Sequence, residues 1–152
     1  MKRALKAAVI FAAALIGGLQ LFQIDKTNPA VDPSRTLEAS VGVPADITLI
    51  FGRACNDCHS NTTRYPWYSY VQPAGWFLKS HIEEGRQHLN FSTFADYDAR
   101  RRAKKLEEIC EQVTSGEMPL PSYLLMHRDA ILSESEKQAL CDWTNSVLGQ
   151  EK

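Results

Sequence analysis

The five residues Cys55-Asn56-Asp57-Cys58-His59 constrain this chain more than any other stretch. Two thiols three positions apart, followed at once by an imidazole, form the C-x-x-C-H pattern of covalent c-type haem attachment. The spacing follows from the chemistry. The thiols add to two haem vinyl groups, and the adjacent histidine is delivered beneath the iron as proximal ligand. A redox dithiol or half of a zinc site uses the same cysteine pair, but a zinc site needs about four Cys or His ligands. A dithiol of the thioredoxin type sits in a βαβ pattern. This chain has neither a second C-x-x-C nor that alternation.

Two of the four cysteines lie outside the motif, so Cys110 and Cys141 form a candidate disulfide that would persist only in an oxidising compartment. The N-terminus points the same way. Lys2, Arg3 and Lys6 precede an apolar run from Ala7 to Phe22 broken only by Gln20, the layout of a secretory signal or signal anchor. With no well-placed small-residue cleavage site, the expectation is an uncleaved single-pass anchor over residues 1–24, since Ala4 to Ile24 as a helix reaches about 30 Å. Lysine and arginine before the span would put the domain on the periplasmic side of a bacterial inner membrane. The alternative is secretion into the periplasm after signal cleavage. A formal net charge of −1 gives no basic surface for nucleic acid.

Residues 25–43 carry Pro29 and Pro33 without sustained apolar periodicity, and read as an extended tether. The domain is expected over 44–150. Pro44 and Asp46 open a helix whose Ile47, Ile50, Phe51 and Ala54 run at helical spacing into Cys55. An aromatic segment follows, in which Arg64, Tyr65 and Trp67 are candidates to wall a haem or bond its propionates. Phe77, His81 and His88 then share a helical face. The cations Arg100, Arg101, Arg102, Lys104 and Lys105 read as a solvated face of the next helix, which carries an apolar stripe through Leu106, Ile109, Cys110 and Val113 and stops at Gly116. Met118 lies 59 residues after His59, stiffened by Pro119 and Pro121, where its thioether could serve as the distal iron ligand. His81 and His88 are the alternatives. Ser133 and Glu136 form a capping box for a last helix with Leu140, Trp143 and Val147 on its inner face. Cys110 and Cys141 both lie at or beside inner stripes, so a bridge would join two packed helices.

Taken together, an N-terminal helix entering C-x-x-C-H, an aromatic middle, a Met-Pro loop and a final helix resemble class I cytochromes c. More closely, Asn28 to Pro33, Cys55 to Trp67, Glu84 to Ser92, and Gly116 to Tyr123 with His127 resemble the bacterial haem-binding-domain family, small membrane-anchored or periplasmic proteins of cytochrome c type. The resemblance implies an all-α, cytochrome c-like domain with one covalent haem c, thioethers at Cys55 and Cys58, and His59 as proximal ligand. The function expected is one-electron transfer with an unidentified redox protein, not enzymatic turnover. A haem-based sensor with a displaceable distal ligand is the alternative. No nucleophile–base spacing points to hydrolysis, and no distal Arg/His pair points to a peroxidase.

Overall fold

Apolar periodicity decides which helical faces close on one another. A computed structural model describes residues 1–150, and it is all α, with no strand among the described residues. The helices are α1 (Lys2–Leu19), α2 (Leu37–Ser40), α3 (Ala45–Ala54), α4 (Asn56–His59), α5 (Ala74–His88), α6 (Ala99–Ser115), α7 (Pro121–Leu124) and α8 (Glu134–Gln150). Short 3-10 turns lie at Pro33–Arg35, Trp67–Tyr70, Phe91–Asp96 and Arg128–Ala130.

The core forms where α3, α6 and α8 bring their stripes together. Ile47, Ile50 and Phe51 meet Leu106, Ile109 and Val113, and Leu140, Trp143 and Val147. Phe51 is at its centre, its ring 4.8 Å from that of Phe91 and 5.5 Å, edge to face, from that of Trp143. The helix ends are set by local chemistry. Asp98 caps α6 by accepting from the Arg101 N–H, and Gly116 ends it at φ 78°, a left-handed conformation that costs glycine little. The capping box closes as its sequence predicts: Glu136 Oε2 accepts from the Ser133 N–H at 2.8 Å and Ser133 Oγ from the Glu136 N–H at 3.3 Å. Arg53 of α3 pairs with Glu136 at 2.5 Å, which ties α8 to the helix that enters the Cys55 motif. The Cys110–Cys141 disulfide joins α6 to α8, with Cα atoms 4.7 Å apart.

Residues 25–43, expected as an extended tether, hold two helical turns and deliver Leu37 fully into the core. Thr36 makes this local turn possible by accepting from the Ala39 N–H.

The N-terminal segment requires a correction. No described helix is long and apolar enough to cross a membrane, so the single-pass anchor is overturned. Two physical reasons account for it. The helix spans 18 residues and counts Lys2, Arg3 and Lys6 among them, which shortens its apolar part. Its expected last turn belongs to the domain instead. The Gln20 amide pairs with the Gln72 backbone in both directions, Gln23 donates to the Tyr70 carbonyl, and Trp76 Nε1 donates to the Phe22 carbonyl. Ile24 is buried. Helix α1 itself buries none of its residues.

Because the bridge links two helices 31 positions apart in sequence, its loss should loosen the α6–α8 pair. Replacing Cys110 and Cys141 with alanine should lower the unfolding free energy by about 2–4 kcal/mol. Urea titrations of the two proteins would measure it, and coincident curves would contradict a stabilising role.

Candidate functional site

Helix α3 ends at Cys55, and α4 is one tight turn made by the motif itself. The Cys58 and His59 N–H groups both donate to the Cys55 carbonyl, at 3.2 and 2.9 Å. That turn puts both thiols and the imidazole on one side, and neither thiol is disulfide-bonded. The residues after it hold it shut. Ser60 Oγ donates to the Asn56 carbonyl, Thr63 Oγ1 to the Asp57 carbonyl, and the Arg64 N–H to the Asp57 carboxylate.

The C-terminal end of α5 lies against this turn. A Cβ at Gly85 would come within 2.8 Å of the Cys58 carbonyl oxygen, so only glycine permits the approach. Arg86, next in sequence, donates to the Ser60 carbonyl, to Asn28 Oδ1 and to Thr63 Oγ1. Asn90 donates to Asn61. Leu89, which caps α5 in an extended conformation, presents its carbonyl to His59 Nδ1 at 3.0 Å. A carbonyl can only accept, so the proton resides on Nδ1 and Nε2 keeps its lone pair. This carbonyl comes from the far end of α5, because Gly85 lets that helix reach the turn.

Cys55, Cys58 and His59 form part of the wall of a cavity of about 650 Å³, within the size range of cofactor sites. Phe51, Phe91, Ile109, Val113, Leu132 and Leu140 make much of the rest apolar. Burial pushes the Cys55 thiol up to about 12 and the Cys58 thiol up to about 11. Burial likewise lowers the His59 pKa, against the Leu89 and Gly85 carbonyls, which raise it. Both effects favour neutral groups, namely two thiols and an imidazole with a free lone pair. Among the described residues no group of three His, Cys, Asp or Glu side chains could hold a metal ion, so the paired cysteines have no complete zinc set there.

The three candidates for the opposite face all line this cavity. Met118 is half-buried, and its N–H donates to the Gln112 carbonyl at 3.0 Å. His81 is half-buried, with Phe77 set edge-on to its ring at 4.3 Å. His88 is exposed and adjoins Leu89, whose carbonyl holds His59. Arg64 and Tyr65 lie outside the cavity wall, and the Arg64 guanidinium bonds instead to the Gly52 carbonyl. Trp67 lines a second cleft of about 330 Å³ that shares Cys58, His81, Leu120 and Tyr123 with the first.

Several lining groups were not singled out by the sequence. Lys105, expected on a solvated face, is only 13% exposed, pairs with Glu108 at 2.6 Å and faces the cavity. The signal existed: Lys105, Glu108 and Gln112 are three and four positions apart, on the same side of α6 as Ile109. Tyr123, which donates to the Asp57 carboxylate at 2.9 Å, had no sequence signal beyond its place in the Met-Pro stretch.

Two measurements probe this geometry. In the haem-free chain, the Cys55 and Cys58 thiolates should be about a thousandfold and about a hundredfold scarcer near neutral pH than for an ordinary thiol of pKa 9.0. Iodoacetamide should therefore label both slowly, accelerating about tenfold per pH unit as the thiolates form, and quickly after unfolding. Fast labelling in the folded chain would contradict the burial. Gly85→Ala should drive α5 from Cys58 and break the His59–Leu89 bond, lowering the yield of haem-loaded protein. Wild-type loading, read by the Soret-to-280-nm absorbance ratio, would refute the close approach.

No curated protein and no solved structure matches the chain significantly. The haem-binding domain family matches over residues 14–146, which takes in the tether, the C-x-x-C-H turn, the cavity and most of α8. By that match across most of its length, this chain belongs to the haem-binding domain family.

Proposed function

We propose that this protein is a one-electron carrier of cytochrome c-like build, with a single haem c bound covalently through Cys55 and Cys58, working in an oxidising compartment outside the cytoplasm. One observation carries the reading. His59 commits Nδ1 to the Leu89 carbonyl while two free thiols flank it on the wall of a largely apolar cavity of about 650 Å³. The chemistry of this donor set fits haem c: two thiols for two vinyl groups and one neutral imidazole for iron. The Cys110–Cys141 disulfide supports the compartment.

When bound, the haem supplies reversible one-electron exchange at its iron. The protein does the rest. Leu89 fixes the His59 ring and raises its basicity through the Nδ1–H bond. Phe51, Ile109, Val113 and Leu140 exclude water, which favours the less charged reduced state. Met118, on the cavity wall, would supply the second iron ligand in this reading. Pro119 and the Met118–Gln112 backbone bond restrain its segment, and a thioether further raises the potential. Lys105, on the cavity wall beside its partner Glu108, would donate a hydrogen bond to a propionate. The second reading, a ligand-binding sensor, draws on the second cleft, which meets the cavity at His81 and Tyr123.

Expression alongside a cytochrome c maturation system should give a pyridine haemochrome spectrum of thioether-linked haem that resists acid–acetone extraction. Changing Cys55 and Cys58 to serine should make the haem extractable; extractable haem in the wild type would overturn covalent attachment. Met118→Ala should abolish the sulfur-to-iron charge-transfer band of the ferric protein, lower the potential and let carbon monoxide bind the reduced form. A wild type that binds carbon monoxide readily at neutral pH would favour the sensor instead.

A further inference from the structure

Beyond the cavity wall, four side chains connect segments that the haem reading leaves unrelated. Tyr123 Oη donates to Asp57 Oδ2 at 2.9 Å, inside the C-x-x-C-H turn. The Tyr123 ring lies flat on His127, with centroids 4.0 Å apart and planes inclined by 5°. His127 Nε2 is 2.9 Å from the hydroxyl of Tyr68 on the Trp67–Tyr70 turn. The other Asp57 oxygen is held by the Arg64 N–H at 3.0 Å, so this carboxylate cannot turn away freely. Tyr123 also stands where the two cavities meet, since it lines both.

We propose that Tyr123 is a positioning residue that latches the Met118 segment onto the C-x-x-C-H turn, with His127 and Tyr68 as its backing. The inference rests on the reading of Met118 as distal ligand. Only four residues separate Met118 from Tyr123, two of them proline, and the Tyr123 N–H returns to the Leu120 carbonyl at 2.9 Å. So short and stiff a stretch transmits the position of its end. Fixing the phenol on Asp57 therefore fixes how far the thioether can withdraw. Burial and the neighbouring Asp57 carboxylate both raise the Tyr123 pKa, so its hydroxyl stays protonated as the donor. The stacked imidazole prevents the ring from swinging into the second cleft. With the hydroxyl removed, the segment should open more often and expose the distal face to small neutral ligands entering through that cleft.

The test uses the haem-loaded protein and carbon monoxide. In Tyr123→Phe, which keeps the ring and its stack, carbon monoxide should bind the reduced protein about tenfold faster or more, the worth of one hydrogen bond to a charged acceptor. The ferric charge-transfer band should weaken while the pyridine haemochrome spectrum stays unchanged. Asp57→Asn, which keeps an oxygen acceptor but not its charge, should show a smaller acceleration, and His127→Phe, which keeps a flat ring but loses Tyr68, should fall between. Wild-type rates and band in Tyr123→Phe would overturn the latch while leaving the haem reading intact. Should Tyr123→Phe not accumulate, the ranking of the other two variants decides in the same way. A wild type that lacks the charge-transfer band removes Met118 as ligand, and the latch with it.

Discussion

The hydrogen bond from His59 to the Leu89 carbonyl organises the rest of this protein. It joins the last residue of the C-x-x-C-H turn to the residue that caps α5, 30 positions away. For the bond to form, α5 has to end in extended backbone so that its carbonyl turns outward, and it has to approach the turn more closely than any side chain at position 85 would allow. Arg86 and Asn90 then secure that approach through the Ser60 carbonyl, Asn28, Thr63 and Asn61. A short stretch of α5 thus defines one histidine tautomer.

The cavity persists because the elements around it are held from outside. Side chains in a protein interior close over empty space when they can. Here α6 and α8 are joined by the Cys110–Cys141 bridge, α3 and α8 by Arg53 and Glu136, and the Phe51 cluster fills the space between them. What remains is a cavity of about 650 Å³ with a largely apolar wall. Burial keeps the two thiols protonated and the imidazole neutral.

The N-terminal segment shows how a hydropathy reading can merge two structural roles. Its apolar run looks continuous in one dimension, yet the helix ends at Leu19 and the next residues dock on the Trp67–Tyr70 turn and α5. Gln20, which the run treated as an interruption, makes the decisive contact, pairing with the Gln72 backbone. A glutamine amide donates and accepts at once, so one side chain can satisfy both backbone groups of another residue.

Sequence alone was enough for whatever depends on short-range spacing. The Cys55–His59 pattern, the all-α class, the capping box at Ser133 and Glu136 and the stop at Gly116 are local: each needs residues within one or two helical turns. The Cys110–Cys141 bridge was legible because both cysteines fall at or beside the inner stripes of adjacent helices. Tertiary structure decided what depends on residues far apart in the chain. The choice of Leu89 as the His59 acceptor, the inward turn of Lys105 beside Glu108, the exclusion of Arg64 and Tyr65 from the cavity wall, and the Tyr123–Asp57 contact each require two segments to meet at a particular angle. Helical periodicity says which face a residue occupies, but it carries no information on how closely or at what angle two helices approach. That is why the C-x-x-C-H pattern can be read from five residues, while the environment around it is readable only after the chain has folded.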